Sequence, residues 1–347
     1  MTISSAPHPP TGAGAPAGPS LSPGRGRVCA LLLAGVAAFI LLSGLSFLGA
    51  WHWSFELLSH FRVQFAVAAV LGVLIFAALG RWRAGLALAA VAAAHLVPVL
   101  LHMTAADGPA AGRGEGGLSL LYLNMHHRSA DHAAFLAHVR EHRPGLLVLT
   151  EVDPGRRQAL FARLAEHYPY RLHTDDTGPF GMSLFSRHEL HENAPDTEGG
   201  RAWPVLQASV CPADVARCVD LIAVHAPRPG PGRTARRDAV FARVAARARQ
   251  SENPAVVVGD FNSTPWSPAF RRLLRHGALR DGSGYAALKP TWISRLPPFG
   301  LKIDHVLTGR GAEETRRRIG PAFGSDHFSV QVNLRARRGL AAERPAP

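Results

Sequence analysis

Long apolar runs fill the first third of the amino-acid sequence, whereas shorter apolar runs alternate with polar segments in the rest. Before residue 104, apolar runs occur at residues 28–50, 63–80 and 84–103. Each is about as long as a helix that crosses a bilayer, which needs about 17 to 25 residues. The pattern predicts three transmembrane helices that form an anchor over residues 28–103. Buried core helices are the alternative for each run, and a cleaved signal peptide is a further alternative for the first, although its apolar stretch is too long for one.

Arginines at the ends of these runs predict the orientation of the anchor. Two precede the first run, two separate the second run from the third, and one separates the first from the second. In that order they are Arg25, Arg27, Arg81, Arg83 and Arg62. Because cytoplasmic loops carry the excess of Lys and Arg, residues 1–27 are expected to be a disordered cytoplasmic tail. Three crossings then place the chain after residue 104 outside the cytoplasm, beyond a flexible Gly-rich linker at residues 104–117.

Residues 118–334 alternate between strand-like and helix-like patterns. Strands are predicted at residues 118–124, 145–152, 181–187, 204–210, 219–225, 255–262, 302–308 and 327–334. Helices are predicted at residues 130–142, 154–167 and 233–250. The strands outnumber the helices and many are spaced as hairpins. This pattern favours an α/β fold with two packed mixed sheets flanked by helices over a doubly wound parallel sheet. A basic tail follows at residues 335–347.

The chain is strongly basic. Its formal net charge is +13, and nearly all of its cations are arginines. This charge suits an anionic partner such as nucleic acid, a phosphate ester or an anionic membrane surface. The abundance of Ala, Gly, Arg and Pro along the whole chain gives an equally good compositional explanation.

Two cysteines support an extracytoplasmic second domain. Cys211 and Cys218 flank a six-residue segment between two predicted strands. A hairpin would bring them opposite each other, and an oxidising exterior would permit a disulfide. Two unpaired thiols are the alternative.

Polar side chains follow apolar residues at the ends of several predicted strands. In the stretch VVVGDFN, Asp260 and Asn262 emerge on one side of the chain while Phe261 points into the core. The same arrangement recurs at Asn124, Glu151, His225, Asp304, Asp326 and His327. If the sheets pack together, these side chains converge in one cleft. Carboxylate and amide oxygens suit a hard cation such as Mg²⁺, with Mn²⁺ as the second choice, and a metal with an oriented water suits phosphoester hydrolysis.

These short motifs, in their order along the chain, resemble the motif set of the endonuclease/exonuclease/phosphatase superfamily, whose members include DNase I-like nucleases, inositol polyphosphate phosphatases and sphingomyelinases. They are LN at 123–124, TE at 150–151, VHAP at 224–227, GDFN at 259–262, IDHVL at 303–307 and SDH at 325–327. The resemblance covers residues 118–334. It implies a four-layer α/β sandwich in which two packed mixed β-sheets are flanked by helices.

The resemblance also implies a role for each site residue. Glu151 is expected to be the principal Mg²⁺ ligand, with Asn124 beside it and Asp326 holding the metal or its waters. Asp260 is expected to orient or deprotonate the attacking water. Asn262 and His225 are expected to hold phosphoryl oxygens. His327 is expected to contact the scissile phosphate and to be oriented by Asp304.

The sequence departs from the family pattern at three positions. His126 stands where many relatives have an acid, which weakens the case for a second metal. Thr150 stands where Gln is frequent, and Phe328-Ser329 follows the last motif where a Pro often occurs. The core set is intact, so catalysis is expected, and a catalytically inactive membrane-tethered binding domain is the alternative.

The layout of three spans followed by this domain is similar to bacterial membrane proteins of a teicoplanin-resistance type. The sequence therefore predicts a membrane-anchored, Mg²⁺-dependent phosphatase or phosphodiesterase at the outer face of the cell membrane. A lipid-linked phosphate or pyrophosphate is its expected substrate. An extracellular nuclease is the second interpretation, with nucleic acid as partner. It is disfavoured because the domain is short and poor in aromatic residues for stacking.

Overall fold

The computed structural model describes residues 23–105, 117–126, 131–152, 154–174, 181–192, 203–213 and 217–336. Residues 1–22 of the predicted tail, most of the predicted linker and the end of the basic tail lie outside the described residues. The chain forms two compact units, residues 1–42 and residues 43–347. The first contains most of helix α1, and the second contains everything that follows.

Four helices make up the N-terminal region. They are α1 (Pro23–Leu45), α2 (Trp53–Ser59), α3 (Arg62–Ala78) and α4 (Trp82–Ala105). Only two stretches among the described residues, Ala30–Leu48 and Trp82–Thr104, are long and apolar enough to cross a membrane by themselves. Helices α2 and α3 together pass the same test but meet at a bend of 60°. The structure therefore supports two spans and leaves the predicted second span as one arm of a bent pair.

The described part of the remaining chain forms twelve strands and four α-helices. The strands are β1 (Leu118–Asn124), β2 (Leu146–Thr150), β3 (Tyr170–His173), β4 (Met182–Ser186), β5 (Glu189–Glu192), β6 (Val205–Cys211), β7 (Val219–His225), β8 (Ala255–Asp260), β9 (Arg280–Asp281), β10 (Asp304–Thr308), β11 (Ala312–Ile319) and β12 (Val330–Ala336). The helices are α5 (His132–His142), α6 (Pro154–Leu164), α7 (Thr234–Gln250) and α8 (Pro268–Gly277).

The strands form two six-stranded mixed sheets. The first has the order β11-β12-β1-β2-β4-β3, and the second has the order β5-β6-β7-β8-β10-β9. The pairs β1–β2 and β7–β8 are parallel, and all other pairs are antiparallel. The two sheets thus repeat one arrangement, although the sequence contains no recognisable repeat.

Three apolar clusters fix the order of the layers. The inner faces of the two sheets share one cluster, which includes Leu120 and Val148 from the first sheet and Val256 and Val306 from the second. A second cluster packs α7 and α8 on the outer face of the second sheet. A third packs α5 and α6 on the outer face of the first sheet. The prediction of two mixed sheets flanked by helices is therefore confirmed.

Buried polar contacts join the α2–α3 corner to the sandwich. The Glu56 carboxylate on α2 receives two hydrogen bonds of 2.8 Å from the guanidinium of Arg237 on α7, and both side chains are buried. His60, between α2 and α3, forms a hydrogen bond of 3.0 Å with the Thr264 hydroxyl. Trp266 Nε1 donates to the His60 carbonyl. This part of the N-terminal region is therefore built into the same folded unit as the sandwich.

The predicted cysteine pair is a disulfide. Cys211 ends β6, Cys218 precedes β7, and the two are bonded across the hairpin with a Cα–Cα distance of 4.2 Å. Of the two alternatives that the sequence left open, the structure has the disulfide.

Candidate active site

Strand register brings three of the predicted site residues side by side in the second sheet. His225 ends β7 opposite Asp260 at the end of β8, and Asp260 in turn pairs with Asp304 at the start of β10. One residue earlier, Gly259 pairs with Val224 so closely that a Cβ on Gly259 would lie 1.8 Å from the Val224 carbonyl oxygen. Glycine at this position lets β7 and β8 bring His225 and Asp260 together.

Asn124 connects the two sheets at the site. It ends β1 opposite Thr150, the residue before Glu151. Its Nδ2 donates to Glu151 Oε1 at 2.9 Å and to Asp260 Oδ2 at 3.2 Å, and its Oδ1 accepts from the backbone of His126. The amide therefore holds a carboxylate of each sheet in the same buried place.

Turns with left-handed backbone begin as β1, β2 and β8 end. His126, Glu151 and Asn262 have φ angles of 41°, 56° and 47°. This conformation is uncommon for residues other than glycine, and such residues cluster at functional sites. In the last turn, Asp260 Oδ1 accepts from the backbone of Asn262, and Asn262 Nδ2 donates to the Ala226 carbonyl. Asp260 and Asn262 are thereby fixed together at the end of β8.

Phe261, between Asp260 and Asn262, is fully buried. Its ring packs against Phe241, Phe270 and His305 in the second sheet's outer cluster. The predicted alternation of directions along this stretch is correct, since the ring locks the turn that carries the two polar side chains.

His327 and Asp304 form a buried pair. His327 Nδ1 lies 2.9 Å from Asp304 Oδ2, and His327 Nε2 lies 4.0 Å from Asp260 Oδ2. Burial by itself lowers the pKa of His327, but the charge and hydrogen bond of Asp304 outweigh it and raise that pKa to about 10. The Asp304 carboxylate therefore favours the cationic form of His327, whose Nε2 is turned toward the carboxylates of the site.

Asp260 and His225 are shifted toward their neutral forms. Burial and the neighbouring Asp304 charge raise the pKa of Asp260 to about 8. Burial lowers the pKa of His225, whose Nε2 lies 3.8 Å from both Glu151 Oε1 and Asp260 Oδ2. A neutral imidazole beside two carboxylates offers a single N–H donor to a bound oxygen.

Asp326 lies at the more exposed side of the group. Its side chain is 33% exposed, and its Oδ1 lies 2.9 Å from His126 Nδ1 and 3.8 Å from His327 Nε2. Trp292 Nε1 donates to its Oδ2 at 3.1 Å. His126, the position at which the sequence departs from the family pattern, thus pairs with a predicted metal-site carboxylate.

A family model described as the endonuclease/exonuclease/phosphatase family matches residues 121–327 of this chain. The matched segment is more than half of the chain and contains all eight predicted site residues. The chain belongs to the endonuclease/exonuclease/phosphatase family. As a member of this family it is a metal-dependent hydrolase of phosphoester bonds.

Solved structures of endonuclease/exonuclease/phosphatase proteins share its fold. One from Beutenbergia cavernae DSM 12333 is 20% identical, with a TM-score of 0.51 over 64% of this chain and 72% of that chain. One from Bacteroides vulgatus is 18% identical, with a TM-score of 0.54 over 64% of this chain and 100% of that chain. TDP2 from D. rerio, complexed with a single-strand DNA product, is 13% identical, with a TM-score of 0.52 over 64% of this chain and 100% of that chain. A search of curated proteins finds no match.

The residues of this family member suit a divalent cation. Glu151, Asp260, Asp304 and Asp326 supply four carboxylates against two imidazoles, and the raised pKa of Asp260 reflects its burial together with the neighbouring Asp304 charge. A hard divalent cation would compensate that charge through oxygen ligands. Two sets of three side chains have their ligand atoms within 4.8 Å of one another, and Asp260 belongs to both. Glu151 and His225 complete the first set, and Asp304 and His327 complete the second.

The orientation of Asn124 bears on its predicted ligand role. Its amide nitrogen, which cannot bind a metal cation, is the atom that faces Glu151 and Asp260. Turning the amide would direct Oδ1 at the carboxylates and would break its hydrogen bond with the His126 backbone. In the arrangement described here, Asn124 orients Glu151, and Glu151 remains the main candidate ligand.

Sequence reasoning missed several residues that support this endonuclease/exonuclease/phosphatase site. Ser325 Oγ donates to the Asn124 carbonyl and accepts from the His327 backbone. Thr291 Oγ1 accepts from the backbone of Asp304, and Trp292 holds Asp326. Ser325 is the first residue of the SDH motif, although no role was predicted for it. The other two lie in a loop with no periodic pattern.

Proposed function

We propose that this chain is a membrane-anchored, Mg²⁺-dependent phosphatase or phosphodiesterase at the extracytoplasmic face of the cell membrane. We propose further that it acts on a lipid-linked phosphate or pyrophosphate. The observation that carries the proposal is the hydrogen bond from Asn124 to both Glu151 and Asp260, beside the His327–Asp304 pair. It assembles a candidate metal ligand, a base and a cationic donor around one small space.

The proposed roles follow from the contacts. His327 is held by Asp304 at Nδ1, which leaves Nε2–H to bind a phosphoryl oxygen and to stabilise the charge that develops on it. Asp260 is fixed at Oδ1 by the Asn262 backbone and accepts from Asn124 at Oδ2, and the second lone pair of Oδ2 would orient water and accept its proton. His225 and Asn262 complete the donors around the phosphate.

A divalent cation held by Glu151, with Asp326 contributing directly or through water, would polarise the phosphoryl oxygen. Its charge would also favour the ionised form of Asp260, which the base role requires. The roles of Asn124 and Asp326 toward the metal are proposals, as is the choice of Mg²⁺ over Mn²⁺.

Two observations support the extracytoplasmic location. The Cys211–Cys218 disulfide suits an oxidising compartment. The arginines around the apolar runs favour a cytoplasmic N-terminus, and a crossing by α3, the apolar arm of the bent α2–α3 pair, gives three crossings together with α1 and α4. If α3 did not cross, two spans would return the sandwich to the cytoplasm. A reporter fused after residue 336 distinguishes the two arrangements.

The test uses the full chain in nanodiscs, because α2 and α3 are part of the sandwich's folded unit. Phosphate release from polyprenyl pyrophosphate and phospholipids, and cleavage of single- and double-stranded DNA, would be measured with Mg²⁺, with Mn²⁺ and with chelator. Turnover that chelator abolishes and Mg²⁺ restores is expected for the lipid substrates.

Glu151→Gln is expected to lose this activity. Glu141→Gln on α5, whose side chain is 76% exposed, is the matched control and should remain active. Turnover of DNA in preference to lipid would favour the nuclease interpretation. TDP2, which shares this fold, was solved with a single-strand DNA product. Folded protein without turnover on any of these substrates would contradict the proposed hydrolase.

A further inference from the structure

One loop of the sandwich exposes an unusual amount of apolar surface. In the described part of residues 118–336, the large apolar side chains that are well exposed are Tyr170, Tyr285, Leu288, Leu296 and Phe299. Four of the five lie in the segment 284–300, called here the apolar rim, and Tyr285 and Phe299 are 80% and 65% exposed. Single exposed apolar residues are normal, but a concentration of them in one segment marks a contact surface.

Both ends of the apolar rim contact the helices of the N-terminal region. At one end, the Gly300 carbonyl accepts a hydrogen bond of 3.0 Å from Gln64 in the first turn of α3. At the other end, a Cβ on Gly284 would lie 4.0 Å from the carbonyl oxygen of Met103, near the end of α4. The rim therefore lies where α3 begins and α4 ends.

From that place, α3 and α4 run as two neighbouring helices with exposed apolar faces. Val67, Leu71, Leu74 and Ile75 on α3 and Leu86, Val97 and Leu101 on α4 are all more than half exposed. Such faces suit contact with lipid rather than water. A bilayer that surrounds these helices would have its surface beside the apolar rim.

The charge of the apolar rim suits a lipid headgroup region. Its ionisable groups besides Tyr285 are Lys289 and Arg295, both exposed, and no Asp or Glu occurs between Gly284 and Gly300. Aromatic residues next to cations are typical of segments at the membrane interface, and cations near the surface attract anionic lipids.

The inner side of the same segment builds the active site. Trp292 Nε1 and the Ser294 backbone both donate to Asp326, and Thr291 accepts from the Asp304 backbone. A single loop thus reaches from the carboxylates of the site to the ends of α3 and α4.

We infer that the apolar rim inserts into the headgroup region of the bilayer that holds the anchor, so that the active site receives phosphoesters carried by lipids in that leaflet. The substrate part of this inference rests on the proposed function, and the insertion does not. A second copy of the chain or another protein covering the rim are the competing occupants.

Lipid contact is tested with a fluorescent label on a single cysteine in nanodiscs that contain anionic lipid. The label is placed by Phe299→Cys or, as the matched control, by Tyr170→Cys on β3, in both cases with Cys29→Ser. The Phe299 label is expected to be quenched by lipids that carry a quencher near the headgroup, and the Tyr170 label by water-soluble iodide. Equal iodide quenching at both positions would refute insertion. Protection of the Phe299 label from both quenchers would show that protein covers the rim and would also refute it.

The consequence for substrate is tested with Leu296→Ser/Phe299→Ser and with the conservative Leu296→Met/Phe299→Leu. Because membrane contact scales with buried apolar area, the serine variant is expected to lose about tenfold in kcat/KM on polyprenyl pyrophosphate in nanodiscs. Its kcat/KM on soluble bis(p-nitrophenyl) phosphate should not change, and the conservative variant should keep both activities. Equal losses on both substrates would show that the rim has only a structural role and would contradict its role in substrate access. If the wild type hydrolysed neither substrate, the proposed function would fail while the quenching result stood.

Discussion

Loss of the Glu56 carboxylate should destabilise the whole folded unit. Arg237 is fully buried, its guanidinium makes two hydrogen bonds of 2.8 Å with Glu56, and Ser267 Oγ donates to the same carboxylate at 2.7 Å. The Glu56→Gln substitution removes the buried countercharge of Arg237 and leaves it only the Asp238 carboxylate, 2.8 Å away, whose side chain is 41% exposed. Removing one partner of a buried ion pair costs about 3–5 kcal/mol. For a domain of this size that loss lowers the melting temperature by roughly 6–20 °C.

The assay is thermal unfolding of the full chain in detergent, followed by tryptophan fluorescence and near-UV circular dichroism. Glu313→Gln is the control, because the Glu313–Arg335 pair is partly exposed and such pairs contribute about 1 kcal/mol or less. The double variant Glu56→Leu/Arg237→Leu should be less destabilised than either single variant, since it leaves no unpaired buried charge. Equal melting temperatures for Glu56→Gln and Glu313→Gln would refute the argument that this ion pair holds α2 on the sandwich.

Three further predictions concern the fold. Gly259→Ala should lower the free energy of unfolding by more than about 4 kcal/mol, because its Cβ would collide with the Val224 carbonyl. Gly85→Ala is the control and should cost little, because no atom lies closer than 3.9 Å to its Cβ. Similar urea midpoints for the two variants would contradict this prediction. Asp281→Asn should leave Lys302, 3.2 Å away and buried, without its carboxylate and lower the melting temperature at pH 7. Burial opposes ionisation of Asp281, but Lys302 holds its pKa well below 3.8. The stability that the ionised carboxylate contributes is therefore present above that pH and is lost as the pH falls. A variant that melts like the wild type at pH 7 would argue against this contribution. The fragment 113–347 should aggregate or melt earlier than the full chain in size-exclusion and melting experiments, because it lacks the α2 contacts; a stable monomer would contradict this.

The sequence predicted best those elements whose pattern is set by burial on both faces. β1 and β7 have the predicted bounds, and β8 ends at Asp260, two residues earlier than predicted. These central strands are continuous apolar runs because a sheet covers one face and helices cover the other. The positions of Asn124, His225 and Asp260 follow directly from these strand ends.

Edge elements were missed for the opposite reason. β11 reads AEETRRRI and lies at the edge of the first sheet next to β12. Its five charged residues, of which Glu314 and Arg317 form a buried pair, hide the strand pattern. α8 was also missed, although Ser267 caps it and Pro268 begins it. Both have local sequence signals, but neither has a long apolar run.

Contacts between distant segments could not be predicted from local pattern. Glu56 and Arg237 are 181 residues apart, and each resembles an ordinary surface residue in its own segment. Trp292 and Thr291 reach the active site from a loop whose course depends on the ends of α3 and α4. Local pattern therefore contains no signal that the N-terminal helices and the sandwich pack together.

The hydrogen bond from Asn124 to Asp260 crosses the seam between the two sheets. The first sheet positions Glu151, and the second positions His225, Asp260 and Asp304, so neither sheet carries the complete set of proposed catalytic groups. A displacement of one ångström along this contact would lengthen it from 3.2 Å to about 4.2 Å, beyond hydrogen-bond length, and would separate the proposed base from the candidate metal ligand. The apolar core shared by the two sheets therefore keeps the proposed catalytic groups aligned. The rate of the proposed reaction would depend on how rigidly this core holds the two sheets relative to each other.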